Sequence, residues 1–170
     1  IDELFAIVRN PDAKGETPLR DVLKHDFWGN HLWAKGQWTH KSYRPVVTLS
    51  FWVQFILNDY VLKPHPLRIF SCGLNCASGV LLLFLFGDVG IPDAWATLAA
   101  MLFTAHPIKT ENIVYLVGRA DVMATFFFML TVRMYLCLKS GPGGRPLQRS
   151  STSALVLFAV LILSAIGGLC

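Results

Sequence analysis

Charge is scarce in this chain: acids and bases together make up 15% of its 170 residues, against roughly 25% in soluble domains. With 54% apolar residues and a mean hydropathy of +0.48, that shortage excludes an ordinary water-soluble domain and points to a membrane protein. The isoelectric point near 9.0 comes from bases that flank apolar runs rather than cluster on a soluble face, so no nucleic-acid partner is expected. Cysteine offers no framework. Cys72 and Cys76 stand one helical turn apart, and Cys137 and Cys170 also sit in apolar surroundings; small packing residues explain the pair better than a metal site, since no His or carboxylate joins it. A carboxylate-rich cluster of the D-x-D kind is missing as well, so no metal and no cofactor are expected. The chain lacks an initiator Met and a cleavable signal peptide. It opens inside a structured stretch, IDELFAIV, and stops with an apolar run unfinished, as a piece of a longer polypeptide would.

What is abundant is long apolar sequence. Residues 67–86 match the length a hydrocarbon core requires, and Arg68 near their start can snorkel. Ser71, Gly73, Ala77, Ser78 and Gly79 are the small residues that let membrane helices pack closely. After the turn GDVGIP, residues 91–108 form a second expected span, with Pro92 suited to its first turn. A third runs over 121–138, and 154–170 begin a fourth. The loop 139–153 carries Lys139, Arg145 and Arg149 without an acid, which makes it cytoplasmic by the positive-inside rule. Residues 46–62 are apolar but interrupted by Thr48, Ser50, Gln54, Asn58 and Asp59, with Trp52 and Tyr60 as interface-seeking aromatics; they read as a helix lying in the membrane interface. On that reading, residues 1–45 and the polar segment 106–121 share one side, lumenal or extracellular.

Segment 106–121, HPIKTENIVYLVGRAD, sets His106, Lys109, Glu111, Arg119 and Asp121 between two membrane-grade segments. Charges at a bilayer edge cost free energy unless they meet water, a partner or a ligand. The patch is therefore a candidate site, with a plain solvated loop as the competing reading. In residues 1–45, Asn10-Pro11-Asp12 and Gly15 are turn chemistry, and Thr17 before Pro18 can cap a short helix ending near Lys24. Trp28, Trp33 and Trp38 suit either interfacial anchoring or a carbohydrate ring. Asp2 and Glu3 are adjacent acids, and Lys41 and Arg44 can bind either lipid headgroups or a specific phosphate.

The strings DELFAIVRNPDA, LKHDFWGN, THKSYRPVVTLSF and AHPIKTENIVYLVGRADVMA, in this order and at these separations, resemble the transmembrane O-mannosyltransferases with tetratricopeptide repeats, the TMTC family. The resemblance covers essentially the whole chain. It implies an all-α polytopic fold of the GT-C glycosyltransferase superfamily, with a lumenal first loop that contains short and interfacial helices, in the endoplasmic-reticulum membrane. It also implies transfer of mannose from dolichyl phosphate mannose to Ser or Thr of cadherin-type domains. GT-C enzymes carry an acidic motif in the first lumenal loop whose carboxylate acts as base. Asp2-Glu3 matches it, although many relatives carry two aspartates there, which favours Asp2. The resemblance further makes Arg119, Arg44 and Lys41 donor-phosphate ligands, and Glu111, Asp121 and His106 groups that orient acceptor or sugar. The family's tetratricopeptide repeats and later spans are absent from these residues, so this polypeptide alone is expected to be inactive. Another GT-C enzyme with a different lipid-linked sugar is the nearest alternative. A transporter or scaffold would need ionisable residues deep within the spans, where almost none occur, Arg133 lying near a cytoplasmic end.

Overall fold

The computed structural model describes residues 2–34 and 42–140. Among them every regular element is helical: α1 (Leu19–Val22), α2 (Pro45–Leu57), α3 (Pro64–Val89), α4 (Asp93–Ala105), α5 (Ile108–Val114) and α6 (Arg119–Ser140), with a π turn at Leu4–Val8 and a 3-10 turn at Leu116–Gly118. The boundaries have local causes. Proline opens α2 and α3 in the first turn, where its missing N–H costs nothing. Gly90 ends α3 in the left-handed conformation at φ 86°. His106 ends α4 with ψ 130°, because Pro107 drives the residue before it out of the helical region.

Two helical stretches, Pro64–Val89 and Leu116–Cys137, are long and apolar enough to cross a membrane, and the architecture is that of an all-α membrane protein. The 13 residues of α2 rise only about 20 Å, short of the roughly 30 Å of a hydrocarbon core. Helix α3 is the centre of the assembly, packed against α4 on one side and α6 on the other. Toward α4, Gly79 accommodates the Thr104 side chain and Asn75 Nδ2 donates to the Thr104 carbonyl at 3.2 Å. Toward α6, Arg133 lies 3.5 Å from Asp88 and stacks 4.1 Å over the Phe84 ring. A buried cluster with Ile7, Phe27, Phe51, Leu67, Leu116 and Met123 joins the N-terminal segment to α2, α3 and α6. Trp52 of α2 lies directly over Gly15, whose φ of 68° and missing Cβ admit the indole.

Several local expectations change. Thr17 does not cap α1: Pro18 holds that position and no side chain caps the helix. Segment 106–121 is not an open loop but mostly helical, as α5 and the 3-10 turn. Cys72 and Cys76 face outward, while Ser71, Asn75, Ser78 and Gly79 form the packed face. The basic loop and the final apolar run, beyond Ser140, lie outside the described residues, as do Trp38 and Lys41.

Candidate functional site

The segment from Leu4 to Asn30 forms the base on which Asp2 and Glu3 sit. The π turn Leu4–Val8 buries Ala6 and Ile7. Asn10, itself buried, donates to the carbonyls of Ala6 (3.1 Å) and Phe27 (3.0 Å) and accepts the Asp12 N–H at 2.9 Å. That side chain locks the π turn to the Phe27 turn, where Gly29 has φ 80° and a Cβ would meet Asn10 Oδ1. Asp12, also buried, places a carboxylate oxygen 2.9 Å from His25 Nδ1. The Asp26 carboxylate accepts the N–H groups of Trp28 and Asn30. These bonds tie the segment to itself.

The second half of the site is the return from α5 into α6. Tyr115 is extended between the two helical turns, and its N–H closes α5 on the Glu111 carbonyl at 2.9 Å. The chain then folds back so tightly that a Cβ at Gly118 would lie 2.8 Å from the Asn112 Cα. Backbone cannot yield as a side chain can, so glycine is required at that point.

The two halves meet. Tyr115 Oη donates to Asp2 Oδ2 at 2.7 Å, and the Leu116 N–H donates to Glu3 Oε1 at 2.7 Å. The acids of the N-terminal segment thus rest on the middle of HPIKTENIVYLVGRAD. The phenol of Tyr115 is pushed up to about 12, first by its bond to Asp2, then by burial and the nearby carboxylate charges. Arg68 reaches the same stretch, its Nε donating to the Val114 carbonyl at 3.2 Å.

The remaining sequence candidates are scattered around this contact. Arg119 is wholly buried: Nη2 donates to the Leu67 carbonyl (2.8 Å), Nη1 to Ser50 Oγ (3.2 Å) and Nε to Ser71 Oγ (3.3 Å). Its guanidinium lies 4.1 Å over the Phe51 ring and 5.1 Å from that of Phe70. In this arrangement it braces α2, α3 and α6 and shows no open face to a headgroup. Arg44 is half-buried over Phe27, 5.5 Å from the ring centroid. Glu111 and Asp121 are exposed, and His106, also exposed, accepts the Ile108 N–H on Nδ1 at 3.2 Å. Among the described residues, no group of three or more His, Cys, Asp or Glu is placed to hold a metal. Tyr115 and Arg68 were missed in the sequence because one reads as an aromatic within an apolar run and the other as a snorkelling anchor. The signal that could have found Tyr115 was a single phenol between two charged stretches.

The chain is similar to proteins named protein O-mannosyl-transferases. It is 33% identical over 184 residues to TMTC4 of Homo sapiens, covering 99% of this chain and 24% of that protein. It is 36% identical over 171 residues to Tmtc2 of Drosophila melanogaster, covering 99% and 17%. With TMTC2 of Homo sapiens the identity is 37% over 139 residues, covering 79% and 16%. The chain therefore spans at most about a quarter of the length of these curated relatives. No family model and no solved structure matches it.

Proposed function

The chain belongs to the TMTC family of protein O-mannosyl-transferases, and on that footing we propose that it forms the acceptor-activating part of a mannosyltransferase site. The reaction transfers mannose from dolichyl phosphate mannose to Ser or Thr of a cadherin-type domain at the lumenal face of the endoplasmic-reticulum membrane. The observation that carries this reading is the junction of Asp2 and Glu3 with Tyr115 and Leu116. It joins the acidic motif of the N-terminal segment to HPIKTENIVYLVGRAD on one surface.

The chemistry is a single inverting displacement. The acceptor oxygen forms a bond to the anomeric carbon as the bond from that carbon to the phosphate oxygen breaks. The acceptor proton passes to a carboxylate, and the electron pair leaves with the lipid phosphate. Asp2 is the base: it is exposed and its Oδ1 accepts no hydrogen bond among the described residues, whereas Glu3 is half-buried and tied to a backbone N–H. The departing phosphate needs a cation, and Arg44, Lys41 and Arg68 can supply it. Arg119 acts from behind, holding α2 against α3 and α6. Glu111, Asp121 and His106 lie on the exposed side of the same segment, where they meet acceptor or sugar hydroxyls.

The test is transfer of mannose to a cadherin-type domain by the full-length protein in membranes, wild type against Asp2→Ala and Glu3→Gln. Losing the base lowers turnover by about 100-fold or more in the first variant, with a smaller loss in the second. Wild-type turnover by Asp2→Ala at equal expression overturns the assignment.

A further inference from the structure

We infer that Tyr115 is a positioning residue for the base, orienting the Asp2 carboxylate so that one oxygen faces the acceptor hydroxyl. This rests on the reading of Asp2 given above and goes beyond it by assigning a role to a residue outside the acidic motif.

An exposed aspartate rotates about two bonds, and only a fraction of its orientations present a lone pair to a given hydroxyl. Asp2 is exposed and close to one end of the described chain, with no cation paired to it among the described residues. What restrains it is the Tyr115 hydroxyl, 2.7 Å from Oδ2. The tyrosine is itself held on both sides. Its own N–H closes α5 on Glu111, and the N–H of Leu116 grips Glu3, the neighbour of Asp2. The two contacts form a short bridge, phenol to Asp2 and backbone to Glu3, that fixes both position and rotation of the carboxylate. With Oδ2 occupied, Oδ1 is left for the proton.

The bond also requires a phenol that does not ionise. Tyr115 meets that requirement, because its pKa is pushed up to about 12 by the carboxylate it serves. It remains a donor throughout the working range of an enzyme in the cell. Neither base nor acid in the reaction, it ends each turnover as it began.

The experiment uses the full-length protein in membranes, with Tyr115→Phe measured beside Asp2→Ala. The ring and its packing survive in Tyr115→Phe and only the hydroxyl goes. Turnover falls about tenfold, the loss typical of one hydrogen bond to a charged group, while KM for the lipid-linked donor and for the acceptor stays unchanged. A phenol absorbance titration of the purified protein gives the independent readout. One phenol ionises near 12 in the wild type, is absent in Tyr115→Phe, and returns toward the ordinary range near 10 in Asp2→Ala. Wild-type kcat in Tyr115→Phe, together with abolished turnover in Asp2→Ala, overturns the positioning role and leaves the base in place. Wild-type turnover in Asp2→Ala overturns both.

Discussion

Arg119 carries a cation in the interior with three hydrogen bonds, two aromatic faces and no carboxylate partner among the described residues. Such a group is expensive to bury and still more expensive to remove. Truncation leaves a cavity, two hydroxyls and a carbonyl without their donor. Arg119→Ala is expected to destabilise the protein by about 3 kcal/mol, read as a lower thermal midpoint in detergent. Arg119→Lys recovers part of this, since an ammonium can satisfy some of the acceptors but cannot form the fork. The folded fraction of either variant keeps the wild-type KM for the lipid-linked donor. Should Arg119→Ala hold its thermal midpoint and raise that KM, the guanidinium binds phosphate and the bracing role is wrong. Tyr115 has a pH consequence at the same scale. A pKa raised to about 12 means that its bond to Asp2 contributes fully below the ordinary phenol value near 10. The contribution is lost as the pH climbs through 12.

Helix packing turns on which small residues face a neighbour, and a run of small residues does not reveal that by composition. Gly73 and Gly79 sit in the same helix, yet nothing lies within 4 Å of a Cβ at the first, whereas a Cβ at the second would collide with Thr104 Oγ1. Gly73→Ala is therefore expected to be neutral or to stabilise by up to about 1 kcal/mol, through helix propensity alone. Gly79→Leu separates α3 from α4 and costs about 2–3 kcal/mol. Gly79→Ala costs less, because Thr104 can rotate away at the expense of its bond to the Ala100 carbonyl. Thermal midpoints of the three variants in detergent decide the matter, and equal losses at both glycines would contradict the packing. Much of the fold was legible at this scale. Apolar length marked the long runs that form α3 and α6, and Pro92 marked the start of α4, but the expected span 91–108 ran past His106, where α4 ends. Helix α5 was not legible, because seven residues with a charged face and no cap look like any polar loop. The packed face of α3 was legible in part: Ser71, Ser78 and Gly79 are buried as read, whereas Cys72, Gly73 and Cys76 face outward, and only the register of Asn75 against Thr104 separates cysteine from serine there.

Across the whole molecule, the bond from Asp2 to Tyr115 constrains topology as strongly as any hydropathy argument. Residues joined by a 2.7 Å contact occupy the same side of a membrane, so the chain between them makes an even number of crossings. Helix α3 is long enough for one. On the proposed topology the other falls to α4, since α2 packs its Trp52 on Gly15 of the N-terminal segment and its Ser50 against Arg119. A 13-residue α4 is short for a lone crossing, and its position against α3 at Gly79 and Thr104 shelters part of the mismatch. Cysteine labelling of the full-length protein tests this directly, with the native cysteines replaced and single cysteines placed at Lys14, Thr110 and Gly141. A membrane-impermeant maleimide applied from the side proposed to be lumenal is expected to modify the first two and spare the third. Labelling of Lys14→Cys and Thr110→Cys from opposite sides would require an odd number of crossings between them, with α4 failing to cross or α2 crossing as well. It would also part Asp2 from Tyr115, and the junction on which the proposed site depends would not exist in the membrane.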